Sequence, residues 1–292
     1  MSLDDTPRLD PRAIARGFER ASAGYDAHAV LARAASAELL RRLELLAFEP
    51  AVILDLGAGS GEGARALRER WRAARVIALD ASAGMLAVAR TRFGWRRRFD
   101  RVRADAARLP LRAASVDLVY SNLMLPWTLD LDHQLREIRR VLKPRGYFTF
   151  TTLGPDTLRE LRAAARELDP DVHTHPFLDM HDLGDALARA GFEGPVMDVD
   201  RYTLTYESLR AIGRDLRAVG AQGVLLDRRA GLVGRGRYER LAAAYERFRN
   251  EDGRLPVSGE VIYGQAWCPG EAPPERSRRR ETVVPIGSIG RR

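Results

Sequence analysis

Long apolar runs are missing from this 292-residue chain: no stretch approaches the roughly 20 consecutive apolar residues of a membrane-spanning helix. The N-terminus, MSLDDTPRLDPR, lacks the apolar core of a secretory signal, and its early acids argue against an organelle transit peptide. A cytoplasmic location is the expectation by default. Cysteine is nearly absent as well. Cys268 stands alone, which excludes a disulfide framework within the chain and a cysteine-based zinc site. Histidine is scarce, and the one close pair, His173 and His175 in DVHTHPF, falls short of a metal site by itself. Lysine is rarer still: of 48 basic residues only Lys143 is a lysine. The formal charge of +8 therefore rests on arginines. These are interleaved with acids in segments such as LRRLELL and LRELRAAARELD, the pattern of a solvated helix face. Neither a nucleic acid nor a membrane is an expected partner, whereas attraction to an acidic protein fits the charge.

What the chain does have is core. Apolar residues make up 45% of it, and short β-branched runs alternate with helix-period segments from residue 31 to about 200. Strands are read at AVILDLG (51–57), ARVIALD (74–80), FDRVRAD (99–105), SVDLVYSN (115–122) and GYFTFTTL (146–153), with a helix after most of them. This alternation with short connections implies a parallel, doubly wound α/β sheet. Beyond residue 154 the pattern changes. A long strand at 195–206, two helices at roughly 207–219 and 236–249, and a last strand at 259–267 suggest an antiparallel edge with a helical elaboration beside it.

Open parallel sheets bind ligands at the carboxyl ends of their strands, and the unusual residues fall there. In ILDLGAGSGEG, Gly57, Gly59 and Gly61 permit a tight turn and close approach of backbone to a ligand. Their spacing alone does not choose between ligands. Asp55 precedes the glycines, Asp80 ends the second strand and Asp105 ends the third. Asp80 can accept both ribose hydroxyls, and Asp105 can accept from an adenine amino group. Asp55 would welcome a cation or an ammonium and would repel a pyrophosphate. Each carboxylate taken alone reads equally well as a strand-end cap. Three at successive strand ends, beside the glycines, point to a nucleoside with a cationic tail.

The segments ILDLGAGSG, VIALDASAGMLAVAR, ADAARLPL, VDLVYSNLMLPW and REIRRVLKPRGYFTFTTLGPDTLREL resemble, in order and spacing, the motif series of class I S-adenosylmethionine-dependent methyltransferases over residues 50–155. A wider resemblance, from about 12 to 267, is to the malonyl-[acyl-carrier protein] O-methyltransferase family of biotin synthesis. It is carried by RGFERASAGYDAHAVL, SNLMLPW, TTLGPDTLREL, FLDMHDLGDALARAGF, PVMDVDRYTLTY and VIYGQAW. The fold this implies is a doubly wound, Rossmann-like, seven-stranded, mostly parallel sheet with helices on both faces. Residues 1–30 would form an N-terminal segment and lid, 31–268 the methyltransferase domain with a helical insertion at about 207–252, and 269–292 a flexible tail.

The resemblance also implies an activity: S-adenosylmethionine would esterify the free carboxylate of a malonyl thioester on acyl-carrier protein (or coenzyme A), disguising the acid for elongation into a pimeloyl chain. Cofactor contacts are expected from Asp55, Gly57, Gly59, Asp80, Met85, Asp105, Ala106 and Asn122, with Ser121 beside Asn122 at the cofactor's polar end. Tyr25 would be the lid tyrosine. Trp127 would wall the acceptor channel, or else simply pack. A guanidinium is the natural clamp for a carboxylate, and Arg201 is the candidate, with a solvated strand position as its plainer reading. No general base is expected, because a carboxylate is already an anion at neutral pH. Two departures bear on the acceptor: Pro126 stands where the family pattern has glutamine before the tryptophan, and His173-Thr174-His175-Pro176 replaces a run ending in Asn-Arg. Two other classes share these features: a related methyltransferase or hydroxylase-like enzyme acting on another small acid or a protein side chain, and a non-catalytic cofactor-binding protein.

Overall fold

The computed structural model describes residues 9–44, 46–92, 99–168, 177–221 and 235–270. Strand β1 (Val52–Leu56) is a fully apolar run apart from Asp55, as a central strand covered on both faces must be. It is followed by α4 (Glu62–Arg70), β2 (Arg75–Asp80), α5 (Ala83–Arg92), β3 (Asp100–Arg103), β4 (Val116–Asn122), α6 (Leu131–Val141) and β5 (Leu142–Leu153). Ahead of β1 lie α1 (Pro11–Ala21), the single turn α2 (Tyr25–His28) and α3 (Val30–Leu43). After β5 come α7 (Arg159–Leu168), α8 (Met180–Arg189), β6 (Glu193–Tyr206), α9 (Leu209–Ala218), α10 (Arg235–Glu246) and β7 (Leu255–Trp267). Local chemistry sets the helix starts. Asp10, Asp130 and Asp179 each accept a backbone N–H of the first turn they cap, satisfying a donor that the helix leaves orphaned.

The seven strands form one sheet in the order β3-β2-β1-β4-β5-β7-β6. Pairing is parallel from β3 to β5, and β7 runs antiparallel to both β5 and β6. The doubly wound reading is thus correct, and the late strand pair forms the antiparallel edge. β7 fills the slot between β5 and β6, and β6 takes the edge. Composition explains the order: Asp198, Asp200 and Arg201 make β6 polar enough for an open edge, while the run from Val261 to Ala266 is almost wholly buried. β7 also begins at Leu255, four residues before the glycine at which the sequence pattern becomes strand-like.

Two cores sandwich the sheet. On one face α6 and α8 bury Leu135, Ile138, Ala186 and Leu187 against Phe148 and Phe150. On the other, α3 and α4 bury Leu39, Leu43 and Leu67 against Ile53, Tyr120 and Tyr263. A third cluster joins α7, α9 and α10 to Leu255 and Val257 of β7, so the late helices extend the second face. Among the described residues no helix is long and apolar enough to cross a membrane.

Candidate active site

The strand order reverses between β1 and β4, whose neighbours lead away in opposite directions, and a cleft opens there at the carboxyl ends. It is lined by Tyr25, Asp26, Ala29, Arg33, Asp55, Gly57 to Ser60, Glu62, Tyr120 and Asn122, among others. The glycine turn is built for it. Gly57, Gly59 and Gly61 have φ of 76°, 52° and 81°, in the left-handed region that costs glycine nothing. A Cβ on Gly57 would stand 2.5 Å from Met124 Cγ, whereas Gly59 faces open space. The turn is tied from behind: Gly59 N–H donates to Asp80 Oδ2 and Ser82 N–H to Asp80 Oδ1, both at 2.8 Å. Burial raises the Asp80 carboxyl above its ordinary value, opposed by these N–H donors.

Asp55 is the unusual group. It is 2% exposed, and its Oδ2 is buried with no hydrogen-bond partner among the described residues. Burial pushes its carboxyl up to about 7; the Ala64 N–H offsets this only in part, and the nearby Asp80 charge adds to the rise. A carboxylate in that state calls for a cation. Tyr25 faces the same cleft, and burial together with Asp26, Asp80 and Glu62 raises its hydroxyl to about 12. Tyr120, completely buried, spends its hydroxyl on Ser36 Oγ at 2.8 Å, and its acidity is likewise suppressed by burial.

The structure brings together Tyr25, Asp55, Gly57, Gly59 and Asn122 in the cleft, with Asp80 joined to it through Gly59. Asn122 rims the cleft with its amide already engaged, Nδ2 on the Ala32 carbonyl and Oδ1 accepting from Thr151 Oγ. Ser121 does not reach the cleft at all; its hydroxyl donates to the Leu56 carbonyl. Asp105 is exposed at the end of β3, two strands from β1, where Oδ1 accepts the Ala107 N–H. The carbonyl of neighbouring Ala106 accepts from Gln134. Met85 is buried in α5. Trp127, in a 3-10 turn that buries Pro126, meets the Phe18 ring edge-on at 5.3 Å and does not line the cleft.

Arg201 is outside the cleft. It sits four strands from β1, about 19 Å at the usual strand spacing, and is 69% exposed. Its guanidinium meets the buried Glu260 at 3.4 Å and Asp156 at 3.8 Å. Period-two alternation also puts it on the sheet face opposite Tyr202, which packs with the α3 side. The run His173-Pro176 lies outside the described residues, as do 271–292 of the expected tail.

Four residues of the cleft and its surroundings escape a reading of the sequence. Arg33, on the first turn of α3, stands at the rim and donates to the Asp26 carbonyl. Asp26 accepts from Ser60 Oγ at 2.5 Å, and Glu62 completes the wall. The N-terminal segment is fastened beside the glycine turn in a second place, where Glu19 Oε2 accepts from Ser82 Oγ at 2.7 Å and from the Gly84 N–H at 3.0 Å. Among the described residues no group of three or more His, Cys, Asp or Glu is placed to hold a metal ion.

Comparison with known proteins matches residues 54–150 to a family described as "Methyltransferase domain". A malonyl-[acyl-carrier protein] O-methyltransferase of Methylovorus sp. is 47% identical over 272 residues, covering 91% of each chain. One from Halorhodospira halophila is 42% identical over 293 residues, covering all of this chain and 99% of its own. The chain belongs to the malonyl-[acyl-carrier protein] O-methyltransferase family. The YcgJ protein of Bacillus subtilis, a solved structure 17% identical, superposes with a TM-score of 0.56 over 81% of this chain and 99% of its own, a likeness of fold. As a member of this family the chain is an S-adenosylmethionine-dependent methyltransferase. Its cleft suits that cofactor: a left-handed glycine turn for backbone approach, a buried carboxylate lacking a partner, and a rim guanidinium.

Proposed function

We propose that this enzyme esterifies the free carboxylate of malonyl-[acyl-carrier protein] in the cytoplasm, in the early, pimeloyl-forming part of biotin synthesis. The acceptor rests on relatives up to 47% identical along nine-tenths of the chain. The site supports the cofactor half through one observation above the rest: Asp55 Oδ2, buried and without a partner, beside a glycine turn and facing the same cleft as Arg33. An anion and a cation on one cleft complement the ammonium and carboxylate of an amino-acid tail. Asp80 would receive the ribose hydroxyls, and Met85, Asp105 and Ala106 would meet the adenine beyond it.

When bound, the cofactor supplies a methyl group activated by a sulfonium. The chain's part is to orient and to exclude water. Asp55 and Arg33 fix the amino-acid end, the Gly57–Gly61 turn brings backbone up to it, and Tyr25 covers the cleft from α2. No proton has to be removed from the acceptor, since its carboxylate is ionised near pH 7. Tyr25 stays protonated there, so it can donate to an acceptor oxygen but cannot serve as a base. The net charge of +8 suits an acidic carrier protein. Mass spectrometry of malonyl-carrier protein incubated with enzyme and S-adenosylmethionine tests the reading: it should show gain of one CH₂ unit, with malonyl-coenzyme A assayed alongside. Complementation of a biotin auxotroph should restore growth. No mass gain on either acceptor would refute the proposal.

A further inference from the structure

Helix α2 is one turn of four residues with no side-chain cap at Gly24, far short of the roughly 12–15 residues at which an isolated helix becomes even marginally stable. Its geometry must therefore be imposed from outside. Tyr25, its first residue, faces the cleft. His28, its last, places Nδ1 2.7 Å from Asp215 Oδ1 on α9. The other carboxylate oxygen, Oδ2, accepts the Tyr206 hydroxyl at 2.9 Å, which fixes Asp215 against β6. An ionised carboxylate only accepts, so Nδ1 of His28 carries the proton.

A second contact brings α9 against the same N-terminal segment. Gly220, just beyond α9, meets Gly17 of α1 so closely that a Cβ on Gly17 would lie 2.6 Å from the Gly220 carbonyl oxygen. Gly220 itself has φ of 79°. α9 is in turn anchored, burying Leu209 and Ile212 in the cluster with α7, α10 and β7. A rigid helix outside the cofactor cleft thus grips the segment that carries Tyr25 on both sides of that residue.

We infer that α9 sets the pose of Tyr25, with Asp215 and His28 as positioning residues acting through the α2 turn. The inference rests on Tyr25 covering the bound cofactor. It predicts energetic coupling between residues on opposite sides of α2, which a merely stabilising ion pair would not show.

The test is a double-mutant cycle in the full chain, read as S-adenosylhomocysteine affinity by calorimetry, with thermal melts confirming that each variant is folded. Asp215→Ala should weaken binding about 5–10-fold, the scale of one lost intramolecular hydrogen bond, and in the Tyr25→Ala background by less than about twofold. His28→Ala should behave as Asp215→Ala does, and it repeats the cycle should Asp215→Ala fail to fold. His28→Asn, whose amide nitrogen takes the place of Nδ1 as donor, should recover most of the affinity. Equal losses from Asp215→Ala in both backgrounds, or no recovery in His28→Asn, would overturn the inference. Unchanged affinity in Tyr25→Ala would overturn it differently, by removing Tyr25 from the cofactor site.

Discussion

Replacing Asp55 by asparagine should change the pH dependence of both folding and cofactor binding. The carboxyl is 2% exposed and its Oδ2 lacks a partner, so burial, with the Asp80 charge adding, raises its pKa from 3.8 to about 7. In the cofactor-free chain the folded state holds a proton that the unfolded state has lost. Stability is therefore highest below about pH 4 as far as this group is concerned and declines as pH rises toward 7. A shift of that size corresponds to about 4 kcal/mol. The asparagine side chain has no proton to lose, so the Asp55→Asn variant should lack this decline and melt higher than the wild type at pH 8 without cofactor. Binding runs the other way. A cationic ligand favours the ionised carboxylate, so the wild type must release a proton to bind below pH 7. Its affinity for S-adenosylhomocysteine should fall as pH drops from about 8 to about 6, steepening toward tenfold per unit below the pKa. Calorimetry in buffers of different ionisation enthalpy measures that proton directly. The Asp55→Asn variant should bind more weakly at pH 8 with a flatter pH profile. Equal affinity of wild type and variant at pH 8, or no proton release by the wild type near pH 6, would refute the assignment of Asp55 to a cation.

The other predictions separate roles that the geometry assigns. Asp80→Ala removes the acceptor of two backbone N–H groups as well as the proposed ribose partner, and should weaken S-adenosylhomocysteine binding by about 1–3 kcal/mol in the same calorimetric assay. Glu19→Gln replaces an anion that accepts from Ser82 and Gly84; stopped-flow release of the cofactor should be a few-fold faster, with little change in melting temperature because the group is exposed. Arg201→Ala distinguishes a clamp from a strut. Held by Glu260 and Asp156 outside the cleft, it should lower the melting temperature and leave the acceptor KM within about twofold, since its loss leaves the buried Glu260 less well paired. A large, selective rise in that KM would restore it as the carboxylate clamp.

The sheet was legible because its signal is local: β1, β2, β4 and β5 are apolar runs bounded by turn residues, and each helix between them carries its own period. The glycine turn and Asp55 were legible for the same reason, lying in one unbroken segment. Arg33 was not. It is one arginine among many on a helix face, and it reaches the cleft only because α2 and α3 cross the mouth of β1 and β4. Arg201 shows the converse. Its strand reads correctly, but which face an edge-strand side chain takes, and how far that strand stands from the glycine turn, depend on β7 entering between β5 and β6. Ser121 and Asn122 raise a different point. A polar strand mouth looks built for a ligand, yet both side chains answer backbone carbonyls, of Leu56 and Ala32. Such needs arise from tertiary packing and leave no mark on the sequence.

The titratable groups of the cleft narrow the chemistry further. An alcohol or amine acceptor needs a base poised near neutrality. Tyr25 is raised to about 12 and Tyr120 is raised as well, and the latter is already bonded to Ser36, so neither hydroxyl takes up a proton near pH 7. Among the described residues of the cleft, Asp55 is the one carried to a pKa near 7, chiefly by burial, with the Asp80 charge adding and no hydrogen-bond partner at Oδ2. Pairing it with an ammonium lowers its pKa and ends its use as a base. A site whose candidate base is spent on holding the cofactor is suited to an acceptor that arrives deprotonated, and a carboxylate meets that condition. Asp55 therefore links the two halves of the reading: if its buried oxygen holds the cation, the described residues of the cleft are left without a base. A methyltransferase of this design should accept free acids and turn over neither their amides nor their alcohols, and its kcat should show no base titrating between about pH 6 and about pH 8 once cofactor is saturating.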